Sequence, residues 1–171
     1  MLTNDVVTDA FERVTQEVHA VVDGLSDDQL AFRPASGANS IAWLVWHLTR
    51  IQDDHVAALD TSGDTEQVWT ARGWFERFGL PLDRAQTGWG HSSADIGRVR
   101  TSGGLLLGYF DDVHAATVAY VQSLAEEDYG RIVDRRWDPP VTLAVRIVSV
   151  IDDLEHAGQA AYVKGILPPN R

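Results

Sequence analysis

Four stretches of helical periodicity, divided by glycine- and proline-rich breaks, constrain this chain more than any other feature. The first runs from Thr3 to Val22, with Val7, Phe11, Val14, Val18 and Val21 on one face, and Gly24 supplies its stop. The second follows the turn-rich Pro34-Ala35-Ser36-Gly37, takes Asn39 or Ser40 as N-cap and reaches about residue 58. Its stripe is Leu44, His47/Leu48, Ile51, His55 and Ala58. The third starts near Asp95, capped by Ser92 or Ser93, and extends to about Leu124. Its stripe is Leu106, Phe110, His114, Thr117, Val121 and Leu124, and Gly103-Gly104 weakens its early turns. The fourth follows Asp138-Pro139-Pro140, runs from about Thr142 to Lys164, and is closed by Gly165 and Pro168-Pro169. No strand competes, since residues 131–133 are too short a run. Helices with one apolar stripe each bury it most simply against one another, which predicts an all-α four-helix bundle in a single domain over residues 1–171.

Between residues 59 and 93 the periodicity breaks up at Gly63, Gly73, Gly79, Pro81, Gly88 and Gly90, with a short helix predicted within 67–78. Thirty-odd irregular residues inside a compact domain point to function or disorder. Trp69, Trp74, Trp89, Phe75 and Phe78 argue for packing, because such side chains carry large apolar surfaces. At 171 residues and 44% hydrophobic, the chain can bury a core without disulfides. The absence of cysteine excludes a disulfide scaffold, a thiolate zinc site and a cysteine nucleophile. A net charge of -11 would repel a phosphate backbone, so no nucleic-acid partner is expected. No apolar run is long enough to span a bilayer, and the acidic, amphipathic start is unlike a signal peptide. The expectation is a cytoplasmic domain without a membrane partner.

On the fourth stretch the predicted core-facing stripe reads Val145, Val148, Asp152, His156, Gln159 and Val163, so an apolar seam becomes ionisable halfway along. Asp152 and His156 are four residues apart and share one helix face. His47 sits in the seam of the second stretch, in the apolar setting Trp43-Leu44-Val45-Trp46. A carboxylate buried in such a seam must be paired, protonated or bound to a metal ion. Two imidazoles and a carboxylate from facing helices meet that demand and leave coordination positions open, as catalytic metal sites do. A buried Asp152–His156 or Asp152–His47 hydrogen bond without metal meets it too. Asp153 is a rival to Asp152 for the carboxylate position.

Trp43-Leu44-Val45-Trp46-His47-Leu48 in the second helix, together with Asp152-Asp153-Leu154-Glu155-His156-Ala157-Gly158-Gln159 in the fourth, resembles the DinB/YfiT-like superfamily. That superfamily also contains mycothiol-dependent maleylpyruvate isomerase and bacterial low-molecular-weight-thiol transferases. The resemblance spans nearly the whole chain and implies a four-helix bundle of DinB type, with a long insertion between helices two and three. It further implies a divalent metal, zinc or nickel, on three helix-borne ligands: His47, Asp152 and His156 occupy the matching positions. Asp152 stands where the family carries His or Glu. The implied activity is that of a metal-dependent enzyme that activates a small-molecule thiol such as mycothiol or bacillithiol towards an electrophilic substrate, as an S-transferase or isomerase. Metal-assisted hydrolysis and a non-catalytic bundle with a sensing or stress-related role are the alternatives. Relatives are often dimeric, so a homodimer is expected.

The remaining histidines carry weaker signals. His55 lies eight residues beyond His47, roughly 12 Å along the same face, and reads as a rim residue. His114 reads as a hydrogen-bonded core histidine or a substrate contact, and His91 as part of a loop at the pocket mouth. Gln159 is a candidate helper to the two metal-binding histidines, and His19 is read as a surface residue. The run Arg135-Arg136-Trp137-Asp138 reads as a solvated, ion-paired face, or as a carboxylate-binding one. No phosphate loop, nucleophile elbow or dinucleotide fingerprint is present.

Overall fold

The computed structural model describes residues 3–59 and 66–168. The expected breaks at Gly63 and Pro169 lie outside the described residues. Helix α1 (Thr3–Val22) buries Phe11, Val14, Val18 and Val21 as its periodicity requires, and Gly24 ends it at φ +79°. The single turn α2 (Asp27–Leu30) is closed by a capping box between Ser26 and Gln29. Ser40 then accepts a hydrogen bond from the Trp43 backbone N–H at 3.1 Å and opens α3 (Ile41–Ala57). Such a cap stabilises a helix by about 1 kcal/mol. Two short helices, α4 (Val68–Ala71) and α5 (Trp74–Phe78), cross the insertion. They hold Trp69, Trp74 and Phe78 against α3 and Tyr109, so aromatic packing orders the segment. Trp89 is the exception to the expectation of packing, at 88% exposed.

The third stretch is two helices instead of one. Ser92 caps α6 (Ser93–Arg98), and Ser102 caps α7 (Gly103–Ser123) by accepting from the Leu105 N–H at 3.3 Å. Gly103 and Gly104 weaken the first turn enough for the second cap to win. A 3-10 turn (Glu126–Gly130) leads to a hairpin of β1 (Ile132–Asp134) with β2 (Val141–Thr142), antiparallel with Ile132 opposite Thr142. The expectation of no strand is corrected there: the strands are minimal, and β1, which overlaps residues 131–133 only in part, forms because Val141 and Thr142 fold back on it.

The fourth stretch is also divided, into α8 (Leu143–Ile151) and α9 (Asp153–Gly165), with one non-helical residue, Asp152, between them. The buried stripe here is Leu143, Ile147, Val150, Asp153, Ala157, Ala160 and Val163. The expected seam through Val145, Val148, Asp152, His156 and Gln159 lies to one side of it, and all of these except half-buried His156 are exposed. Both stripes have helical spacing, and the bulky valines at 145 and 148 made the wrong one read as apolar.

Helix accounts for 65% of the described residues. Helix α1 packs on α7 and α9, and α3 packs on the same two, which closes a ring around Val18, Leu44, Leu48, Phe110 and Ala157. A second apolar cluster, with Phe11, Leu59, Val121 and Ile147, fills the end of the ring near α8. Because the insertion covers its outer side, α3 is buried on every face from Ile41 to Arg50.

Candidate active-site cavity

A cavity of about 500 Å³ opens between α3 and α9, under the Thr87-Gly88-Trp89 segment of the insertion. His47, His55, Asp152, Asp153, Glu155 and His156 all line it. The rings of His47 and His156 stand 5.1 Å apart, so the two sequence-predicted histidines are brought together from facing helices.

His47 is the most constrained group in the site. Its Nδ1 donates to the Thr87 carbonyl at 2.5 Å, which places the remaining lone pair of the neutral ring on Nε2. Trp43 stacks on the imidazole at 4.6 Å and 22°. Burial pushes the His47 pKa below its usual value, the neighbouring His156 and His91 push it the same way, and the Thr87 bond opposes them only in part. The ring is therefore a neutral donor at physiological pH. Gly88 is required for this arrangement: it sits at φ +99°, and a Cβ there would lie 2.6 Å from His47 Nδ1.

On α9, His156 Nδ1 meets Gln159 Oε1 at 3.4 Å, a contact that supports the expected helper role of Gln159 only at the outer limit of hydrogen bonding. Asp152 lines the cavity but is exposed, and the buried carboxylate is that of Asp153, whose Oδ2 has no hydrogen-bond partner among the described residues. Burial, reinforced by the charge of Asp152, raises the Asp153 pKa well above the carboxylate range. Among the described residues, no three histidine, aspartate or glutamate side chains form a cluster tight enough to hold a metal ion.

The other histidines divide. His55 does line the cavity, with its Nδ1 buried and without a partner among the described residues. His91 accepts from Trp43 Nε1 at 3.1 Å and stacks on Trp46, so it props the aromatic wall behind His47. His114 is half-buried and bonded to Thr15 and Glu12 on α1, and it is not part of the cavity lining. His19 pairs with Asp111 at the surface.

Sequence reasoning missed the group that holds the roof. Arg50, fully buried, donates to the Gln67 side chain at 2.8 Å and to the Gln86 carbonyl at 3.2 Å, gripping both ends of the insertion. Asp53, one turn on, accepts from the Val68 and Trp69 backbone N–H groups at 2.8 Å each and from the Tyr109 hydroxyl at 2.7 Å. Arg50 and Asp53 approach to 3.6 Å. The available signal was Arg50 and Asp53 at i, i+3, on one helix face directly after the apolar run of residues 41–46.

Among solved structures, the chain is similar to a conserved protein of Enterococcus faecalis, with 29% identity, a TM-score of 0.88 and 96% of each chain covered. No functionally curated protein matches it. The family model described as the DinB superfamily matches residues 10–159, and the chain belongs to that superfamily.

Proposed function

We propose that this protein is a divalent-metal-dependent enzyme of the DinB-type four-helix-bundle class, acting on a small-molecule thiol and an electrophile. The single observation that carries the reading is the preset imidazole of His47. A ring that donates one nitrogen to a backbone carbonyl, and so keeps the other as a fixed lone pair in a cavity, has the arrangement of a metal-ligating histidine. The donor types in the lining are those a divalent ion takes: a neutral imidazole, a second imidazole at 5.1 Å, and carboxylates in the same wall that have no ion-pair partner among the described residues. His47 and His156 would hold the ion with Asp152 as the third ligand, and the unpartnered Oδ2 of Asp153 supports that residue as its rival. When bound, zinc or nickel would supply Lewis acidity, lowering the pKa of a thiol or a water molecule in an open position. Gly88 and Thr87 keep His47 oriented, and the Trp43–Trp46 wall excludes water from behind it. With no cysteine in the chain, the sulfur would come from a soluble thiol such as mycothiol or bacillithiol.

Elemental analysis of protein purified without a metal-affinity tag tests this reading. Near-stoichiometric zinc or nickel, lost in His47→Ala and in His156→Ala, is expected. Loss in Asp152→Ala but not Asp153→Ala identifies the third ligand. Sub-stoichiometric metal that both histidine variants retain would sink the proposal. A panel of small thiols with an electrophilic acceptor then separates an enzyme from a binding protein. The non-catalytic bundle stays as the second reading because the described residues do not bring three ligands together.

A further inference from the structure

Next to the histidine cavity lies a second one of about 470 Å³, and Asp54 and His55 line both. The two adjoin along α3 through these shared residues and have chemically opposite ends. Asp152, Asp153 and Glu155 join the histidines at one end, and Arg135, Arg136 and Arg146 line the other. The arginines come from the β1–β2 hairpin and from α8, so the irregular segment before the last helices builds this end.

Charge in the arginine end is only partly settled within the protein. Asp134, itself buried, takes both Arg136 at 2.8 Å and Arg146 at 3.2 Å. Asp54 accepts from Gln67 at 2.8 Å and is the other acid in the lining. Arg135 makes no hydrogen bond or ion pair among the described residues. His55 stays neutral, because burial and the nearby Arg146 both depress its pKa, and its buried Nδ1 lacks a partner among the described residues. Three guanidiniums against two carboxylates leave one positive charge, on a protein that is otherwise strongly acidic.

We propose that this arginine-lined cavity binds the carboxylate of the enzyme's substrate, an elongated organic acid whose reacting atom lies between His47 and His156. A carboxylate fits better than a phosphate, since the lining has a single uncompensated charge and Asp54 would repel a dianion. Arg135 is free to offer its planar fork to both carboxylate oxygens, and His55 Nδ1 is within the same lining. The separation of the two ends follows from α3, where the step of eight positions from His47 to His55 spans roughly 12 Å. The catalytic part of this inference rests on the metal reading above, whereas the anion site stands on the arginines alone.

Isothermal titration of the full chain, as purified, with hexanoate tests it, with hexanamide and inorganic phosphate as comparison probes. Wild type is expected to bind hexanoate, and Arg135→Gln to weaken that binding by about tenfold or more, the loss of one charge-assisted contact. Arg135 is exposed and unpaired, so its variant should keep the wild-type unfolding midpoint. His156→Ala is expected to bind hexanoate as wild type does whether or not it loses metal, which keeps the two proposals separable. Equal binding of hexanamide, equal binding by Arg135→Gln, tighter binding of phosphate, or loss of hexanoate binding in His156→Ala each overturns the proposal. So does an absence of hexanoate binding to wild type.

Discussion

Replacing Asp53 by Asn keeps the shape of the side chain and removes its charge, which isolates what the carboxylate does. Its two oxygens receive the Val68 and Trp69 N–H groups and the Tyr109 hydroxyl, all within 2.8 Å, in a site 3% exposed. An amide offers one acceptor oxygen and one donor nitrogen, so at least one buried N–H would face another donor, at a cost of about 1–3 kcal/mol. Arg50, with no exposure to water, would also lose the carboxylate that stands 3.6 Å from it. Leaving one partner of a buried ion pair alone typically costs about 3–5 kcal/mol in total. A domain of this size has about 5–15 kcal/mol of stability, so about a fifth or more is at stake. At about 2–4 °C per kcal/mol, the midpoint should fall by roughly 6–20 °C. Urea unfolding followed by far-UV circular dichroism gives the free energy, and near-UV ellipticity of Trp69 and Trp74 reports the insertion. Adding Arg50→Met should restore part of the loss, because the stranded charge is gone, giving clear non-additivity. A loss below about 1 kcal/mol, or strictly additive single changes, would refute the claim that this pair holds the insertion on α3.

Two further perturbations address the site directly. Gly88→Ala combines backbone strain at φ +99° with a Cβ 2.6 Å from His47 Nδ1, so the Thr87–His47 bond must open. It should lose about 1–3 kcal/mol of stability and, if the metal reading holds, about 10–100-fold in zinc or nickel affinity. Gly90→Ala shares the positive φ (+72°) but meets nothing within 4 Å, and should lose stability alone; equal metal affinity in the two variants refutes the orienting role of Thr87. The third concerns pH. His55 has its pKa depressed in the folded state, so the stability it contributes is present above about pH 6.5 and is lost as pH falls through the folded value. The stability of wild type relative to His55→Gln should therefore decrease from pH 7.5 to pH 5 in urea titrations, and a constant difference would contradict the burial of that ring. Asp153, with its raised pKa, acts in the opposite sense, losing its contribution as pH rises, and cancels in this comparison.

The long helices were legible because their signals are local. A hydroxyl at Ser40, a glycine at 24 and apolar residues at helical spacing each act within one or two turns. The pairing of His47 with His156 was legible for the same reason, since helix facing follows from periodicity once the order of helices is known. The phase of the last helix was not. Val145 and Val148 are apolar yet 55% and 59% exposed, and Asp153 is charged yet buried. Periodicity ranks residues by type, and here the tertiary environment overrides type at three positions in one stretch. The hairpin was illegible because two residues of β2 have no strand signature of their own; their partner across the turn makes them a strand.

What the sequence showed as an irregular interval is the part that makes a cavity out of a packed helix face. Without the insertion, His47 would be one more polar group on a helix surface, solvated and free to rotate. The insertion supplies the Thr87 carbonyl that fixes its tautomer and the glycine that lets the chain come so close. It also buries the ring, which keeps it neutral. Those effects require the segment to be rigid, and its rigidity comes from α3 itself, through Arg50 and Asp53, three and six residues beyond His47. The same helix therefore carries the candidate ligand and the anchors of the loop that orients it. An exchange at Asp53 should consequently disturb the His47 ring without touching it, whereas an exchange at Asp112, which ties Trp74 and Arg72 on the far side of the insertion, should leave that ring in place.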